Sequence, residues 1–277
     1  MESSEEEFQE LSKVNSVGRS RKLIFQVAVG EEANSRLYDS CIASVAAYAN
    51  DIQAEHLVIR EPILRIAPDF ERSQRSKESV SRHGGFLPVF EKEYAFDLLR
   101  NYDEVLVLDA DVKVRIGSPD IFCALPTWAD FGAVVERDMP ITESYREKIR
   151  SYSIAQYLPL TDVDWFWTTG RGAEFFNMGV FVIRKGILPL LKEGSAREWL
   201  LQEKFKDFVN GRGPWKWSTD QTLLNYWVRT NDVSIARLDW KWNCLIGAVD
   251  KSHIDKSYFR HFFLGGRLAA SNEESRS

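Results

Sequence analysis

Long hydrophobic runs are missing from this sequence. No stretch reaches the roughly 18 consecutive apolar residues that a membrane-crossing helix requires, so no span is expected. Cysteine is scarce. Cys41, Cys123 and Cys244 are scattered and form no CxxC pair, which argues against a disulfide framework and a zinc cluster and favours a reducing, cytoplasmic setting. A basic excess is also absent: 36 Lys and Arg stand against 41 Asp and Glu, giving a net charge of -5, and no basic stripe is visible. A nucleic-acid partner is therefore not expected. The N-terminal "MESSEEEFQELSKVNSVGRS" has neither the basic nor the apolar region of a signal peptide. It is acidic and polar and reads as a flexible tail over residues 1–20, and residues 268–277 read the same way. No internal repeat is apparent.

What remains is a chain of 277 residues with 44% hydrophobic content, enough to bury one sizeable core. From Lys22 onward, short apolar runs alternate with helical stretches. "KLIFQVAVG" reads as a buried strand ending at Gly30. In the stretch that follows, Leu37, Cys41, Val45 and Tyr48 fall at helical spacing behind Asn34 as N-cap. "EHLVIRE" reads as a strand, residues 67–85 as a polar loop, and "FEKEYAFDLLRNY" as a helix with Phe90, Tyr94 and Leu98 on one side. "EVLVLDAD" and "FGAVVER" are further strands. This alternation predicts an α/β fold with a mainly parallel, Rossmann-like sheet flanked by helices, in a single domain spanning 21–267. Residues 21–136 would form the nucleotide-binding half and 137–267 the acceptor-side half. In the latter, "SYSIAQYLPLTDVDWFWTTGRGAEFF" shows no clear period, "NMGVFVIRK" is a strand, and "WKWSTDQTLLNYWVRT" is a helix with a capped start.

The feature that bears on function is "DEVLVLDADVKV". A run of aliphatic residues leads directly into Asp109 and Asp111. In α/β sheets, ligands bind beyond the carboxyl ends of the strands, where this pair falls. Two like charges there repel unless something neutralises them. A divalent metal, a phosphate-ester chemistry and a merely polar strand end all account for the pair. Carboxylate oxygens suit Mg²⁺ and Mn²⁺. Aspartate-nucleophile phosphatases also place a DxD after a strand. However, Lys113 stands where they carry Thr or Val, and their motif usually opens the domain.

Four motifs in order give the sequence a resemblance. "FEKEYAFDLLRNYDEVLVLDADVKV", "FFNMGVFVIRK", "STDQTLLNYW" and "HFFLGGR" resemble successive segments of the glycogenin-like (family 8) glycosyltransferases, and they occur in that order within the stretch from Lys22 to Arg267. The resemblance implies a GT-A fold and transfer of a sugar from a nucleoside diphosphate sugar, UDP-linked by family habit, to a hydroxyl acceptor such as a glycan. It implies retention of configuration over inversion. A Mn²⁺ or Mg²⁺ ion would be held by Asp111, by Asp109 (which could instead hold the ribose) and by His261. The base and ribose would lie against Ala28, Val29 and Gly30, with Tyr38 stacking on the base. Lys92 would reach the phosphate or sugar, or else be a solvated lysine on an amphipathic helix.

In the closing motif Arg267 takes the place of a phosphate-binding lysine, and Gly265 falls one position later than the family's glycine. Asn177 would face the sugar or acceptor, with Gly179 beside it. Asp220 and Gln221 would lie near the reacting carbon. The same residues complete a capping box with Ser218, so helix capping and catalysis predict the same sequence. Trp165, Phe166 and Trp167, and likewise Trp215 and Trp217, suit either a sugar-stacking surface or a satellite core. A phosphatase and a non-catalytic nucleotide-sugar-binding relative are the alternatives to the transferase.

Overall fold

The strands are those whose residues are β-branched or aromatic and can be buried. They are β1 (Lys22–Val27), β2 (Glu55–Ile59), β3 (Glu104–Asp109), β4 (Val112–Val114), β5 (Phe131–Val135), β6 (Phe176–Arg184), β7 (Ile235–Arg237), β8 (Cys244–Leu245) and β9 (Phe259–His261). The structure is a computed structural model. It describes residues 20–263 apart from 31–34, 76, 78–80, 82–83, 193 and 218–219. The two terminal tails expected from sequence, apart from Ser20, therefore lie outside the described residues, as do Asn34, Ser218, Gly265 and Arg267.

The main sheet has the order β2-β1-β3-β6-β5-β7. β1 pairs in parallel with β2 and β3, and β5 with β7; β6 runs antiparallel between β3 and β5. Five strands thus point one way, and their carboxyl ends converge on one rim. The central strands β3, β5 and β6 are buried almost throughout, as expected of a sheet covered on both faces. A second, three-stranded sheet has the order β4-β9-β8.

The longest described helix, α1 (Arg36–Ile52), buries Cys41, Val45, Tyr48 and Ala49. Its N-cap is Ser35, whose hydroxyl accepts from the Tyr38 N–H, and not Asn34 as expected. Residue 36 opens the helix one step later than the sequence reading placed it. α2 (Glu143–Tyr157) takes in "SYSIAQY", which showed no period in the sequence. Its buried face includes Ser153 and Gln156, so apolar spacing does not mark it. α3 (Asp220–Thr230) is the helix expected around "STDQTLLNYW". Asn225 ties it to β6, accepting from the Phe176 N–H at 2.7 Å and donating to the Phe176 carbonyl at 2.9 Å.

The segment expected as an amphipathic helix around Lys92 is a 3₁₀ helix over Pro88–Tyr94, followed by one α turn over Ala95–Leu98. Its apolar side is as expected, with Phe90 and Leu98 buried, but Glu91, Lys92 and Glu93 are buried too. Glu91 accounts for itself by accepting three backbone N–H groups, from Ile63, Leu64 and Arg65, each at 2.8 Å. The aromatic loop divides. Trp165 is in the core, its indole donating to the Leu160 carbonyl, while Phe166 and Trp167 are exposed. Trp215 is half-buried against Phe208, and the side chain of Trp217 lies outside what is described.

Candidate active site

The aspartate pair straddles a tight link between the two sheets. Asp109 is the last residue of β3, and Asp111 immediately precedes β4. The antiparallel pairing of β4 with β9 sets Val112 opposite His261, and the Phe262 N–H donates to the Asp111 carbonyl at 3.0 Å. This register brings a histidine from the far end of the domain to the two acids. His261 Nε2 lies 3.3 Å from Asp111 Oδ1 and 3.5 Å from Asp109 Oδ2. One donor atom from each of the three residues can be chosen so that all lie within 4.8 Å of one another.

This donor set fits a divalent ion. Ligands at about 2.1 Å from an octahedral metal are about 3 Å apart when adjacent and about 4.2 Å apart when opposite. Two carboxylates and an imidazole are ordinary donors for Mn²⁺. Asp111 and His261 are buried, while the Asp109 side chain is 30% exposed and opens the group to the cleft. Burial works against a charge on His261, but Asp111 and then Asp109 outweigh it and raise the imidazole above its ordinary value.

The neighbouring ion cluster was not foreseen. The Lys92 ammonium lies 2.8 Å from Asp109 Oδ1 and 2.7 Å from Asp220 Oδ2, and donates to the Met178 carbonyl at 3.0 Å. Burial disfavours the ammonium, but Asp109 and Asp220 prevail and hold Lys92 above its usual range. The solvated-lysine reading is therefore corrected: this side chain cross-links the end of β3 to the start of α3. Behind it, Glu93 is fully buried, and among the described residues neither of its carboxyl oxygens has a hydrogen-bond partner on another residue. Burial, together with the charge of Asp220, raises its pKa well above the ordinary value.

A cleft of about 680 Å³ opens over these groups. Val29 and Tyr38 line it on the β1 side. Ala28 is buried in the core, donating to the Ile59 carbonyl, and Gly30 takes φ 107°, a conformation that favours glycine at the turn leaving β1. Lys92, Asp109, Asp111, Asn177, Gly179, Asp220, Gln221 and His261 all line the same cleft. The opposite wall is a helical stripe of α2, Tyr145, Lys148, Ile149 and Tyr152, recurring at i, i+3, i+4 and i+7.

Asn177 does not present a free amide. Its Nδ2 donates to Glu136 Oε2 at 2.9 Å, and its Oδ1 accepts from the Gly179 N–H at 3.1 Å and from Asn243 Nδ2 at 2.8 Å. Asn243 Oδ1 is 3.0 Å from His261 Nδ1. Tyr145 donates to the other Glu136 oxygen at 2.9 Å. Burial raises the Glu136 pKa, opposed by the hydrogen bonds from Asn177 and Tyr145. Gln221 accepts from the Met178 N–H at 3.2 Å. Neither Glu136 nor Asn243 carried a signal in the sequence: Glu136 is simply the residue after a strand, and Asn243 stands in an aromatic run.

No protein-family model matches the chain, and no curated protein matches it significantly. Solved structures do. A glycosyltransferase involved in the glycosylation of the major capsid of PBCV-1 aligns with a TM-score of 0.55 at 13% identity, over 92% of this chain and 99% of that one. Mouse xyloside xylosyltransferase 1 in its apo form aligns with a TM-score of 0.50 at 12% identity, over 90% and 99%.

The chain has a GT-A glycosyltransferase fold. At these identities the likeness is one of fold, and function has to be argued from the site. In this GT-A fold the Asp109–Asp111–His261 group lies where the parallel strands end and the small sheet begins. Among the described residues, no helix is long and apolar enough to cross a membrane.

Proposed function

We propose that the protein is a metal-dependent glycosyltransferase. It would move a sugar from a nucleoside diphosphate sugar, UDP-linked, to a hydroxyl acceptor such as a glycan. The observation that carries this reading is the Asp-Asp-His group, with Asp111 and His261 buried, facing a large cleft at the strand ends of a GT-A fold. Asp109, Asp111 and His261 would hold Mn²⁺ or Mg²⁺. When bound, the ion would neutralise charge growing on the departing diphosphate.

The chain's own residues would do the rest. Val29 and Tyr38 would receive the base and ribose, with Ala28 and Gly30 shaping the turn beneath them. Asp220 and Gln221 would stand beside the reacting carbon. Lys92, by bridging Asp109 and Asp220, would fix the distance between the diphosphate end and the sugar end of the donor. Asn177, which lines the cleft, would stand within the reaction centre. Gly265 and Arg267 would close on the diphosphate, arginine offering it a planar fork of donors. The α2 stripe would form the acceptor wall, its tyrosine faces suited to sugar rings. Retention of configuration is proposed from the family resemblance. A reducing, cytoplasmic setting is proposed from the three free cysteines, of which Cys123 is exposed.

The phosphatase alternative draws no support from the fold, because its aspartate pair opens the domain whereas this pair follows the third strand. The decisive experiment is a panel of nucleotide-sugars assayed for Mn²⁺-dependent hydrolysis and transfer, with EDTA as control and anomeric analysis of the product. Turnover with a UDP-sugar that EDTA abolishes is expected. Binding of UDP and Mn²⁺ without turnover across donors and acceptors would indicate a non-catalytic relative. No thermal shift with UDP and Mn²⁺ together would refute the proposal.

A further inference from the structure

The direction of a hydrogen-bond chain behind His261 is set by a single backbone group. The Gly179 N–H can only donate, and it donates to Asn177 Oδ1 at 3.1 Å. The Asn177 amide therefore has its NH₂ towards Glu136 Oε2, at 2.9 Å, where an acceptor waits. Asn177 Oδ1 also faces Asn243, so Asn243 must present its NH₂ to it, at 2.8 Å. That leaves Asn243 Oδ1 directed at His261 Nδ1, at 3.0 Å. A carbonyl oxygen can only accept, so Nδ1 must carry a proton. Reversing Asn177 would set its NH₂ against the Gly179 N–H, and reversing Asn243 would set its oxygen against Asn177 Oδ1; such a mismatch among buried groups costs about 1–3 kcal/mol per unsatisfied group. Asn177, Asn243 and His261 are all buried, so water does not relax this constraint.

We infer that Asn177 and Asn243 are positioning residues: a one-way amide relay, started by the Gly179 N–H, that keeps the His261 proton on Nδ1 and so commits Nε2 to Asp109 and Asp111. This rests on the proposed metal role of His261 and adds the device that makes its Nε2 available as a ligand. Ligating histidines are commonly oriented through their other ring nitrogen, and loss of such a partner typically costs 10–100-fold in metal affinity. Glu136 ends the relay as an acceptor, with Tyr145 donating to its second oxygen.

The test uses the full chain labelled with ¹⁵N. Two-bond ¹H–¹⁵N spectra read which His261 nitrogen is protonated, in metal-free protein and with Mg²⁺ plus UDP. Mn²⁺ affinity is read by electron paramagnetic resonance of the free ion. In the wild type a proton is expected on Nδ1 in both states. In the metal-free neutral ring Asn243→Leu should lose that signature, the proton passing to Nε2 beside the two acids, and the variant should bind Mn²⁺ about 10–100-fold more weakly. Asn243→Asp no longer donates to Asn177 but can still accept from Nδ1, and should keep the signature.

A wild-type ring protonated on Nε2 alone would overturn the inference. So would an Asn243→Leu protein with unchanged signature and affinity, or an Asn243→Asp protein whose neutral ring loses the Nδ1 proton. If the wild type binds no Mn²⁺ at all, the transferase reading fails separately. The Nδ1 proton of the neutral ring, read in the metal-free protein at alkaline pH, then decides the relay on its own, whether or not the leucine variant folds.

Discussion

Gly179→Ala offers a perturbation whose size can be worked out from the structure. A Cβ built at Gly179 would lie 2.2 Å from His261 Cε1 and 2.6 Å from His261 Nδ1. Carbon atoms in ordinary contact are about 3.5–4.0 Å apart, so the ring must retreat by more than about 1 Å. The ring has little room. It is 4% exposed, is held by Asn243 on one side, and has Phe263 at 6.0 Å between ring centroids. Retreat would carry Nε2 out of line with Asp109 and Asp111. A 1 Å misplacement of a reacting or ligating group costs on the order of 100-fold.

Mn²⁺ affinity in the presence of UDP is accordingly expected to fall about 10–100-fold by titration calorimetry. Overpacking of this kind should also cost about 1–3 kcal/mol of stability, or about 2–4 °C of Tm per kcal/mol for a chain of this size. Gly132→Ala separates the two effects. Its Cβ would meet Leu125 Cδ1 at 2.6 Å, on the same sheet but away from the three ligands. That variant should lose stability and keep metal affinity. If Gly179→Ala bound Mn²⁺ and melted like the wild type, the tight seat for His261, and the reason for glycine there, would be wrong.

Asp111 is buried and has the geometry of a ligand, so Asp111→Ala should reduce Mn²⁺-dependent donor hydrolysis by about 100-fold or more; retention of full hydrolysis would remove it from the metal group. Lys92→Met leaves Asp109 and Asp220 without the ammonium between them. Breaking such a buried pair costs about 3–5 kcal/mol, to be read by urea denaturation at pH 7, and a loss below about 1 kcal/mol would show that the bridge matters little. Glu93→Met replaces a buried, unpartnered acid by an apolar chain and should stabilise the protein by about 1–3 kcal/mol at pH 8. The folded pKa of Glu93 is raised, so the wild type loses stability as pH climbs from the ordinary glutamate value towards the folded one. The advantage of the methionine variant should therefore be larger at pH 8 than at pH 5, and an equal advantage at both would contradict the assignment.

The parts of the site that could be read in the sequence are those carried by local pattern. An aliphatic run ending in Asp109 and Asp111 marks a strand end whatever surrounds it, and the strand–helix alternation before it places that end on a parallel sheet. Asp220 was legible for two competing reasons, as a helix-start acid and as a site residue. The structure places it in the cleft as well as at the head of α3. Of the two readings the sequence left for Lys92, the solvated one fails, because helical spacing says nothing about burial of the polar face. That depends on β3 and α3 arriving from both sides. Asn243 and Glu136 were invisible for a related reason: their significance lies in partners contributed by other elements. The inward stripe of α2 escaped because Tyr145, Lys148 and Tyr152 are not uniformly apolar, although their spacing is helical.

Asp109 is where these separate observations meet. Its Oδ1 is taken by Lys92 at 2.8 Å, while its Oδ2 faces His261 Nε2 at 3.5 Å. The two oxygens thus serve two clusters, Lys92 with Asp220 on one side and Asp111 with His261 on the other. The sequence left Asp109 with a choice between metal and ribose; the side chain as placed has one oxygen directed at the candidate ligands and the other engaged by Lys92. Since both clusters open onto one cleft, a change at Asp109 cannot be confined to either. Ligand geometry at Asp111 and His261 would be felt through Asp109 and Lys92 at Asp220, the residue proposed to stand beside the reacting carbon. This shared carboxylate also explains how three acids tolerate one another here. Lys92 offsets two of them, and Asp111 faces the His261 imidazole.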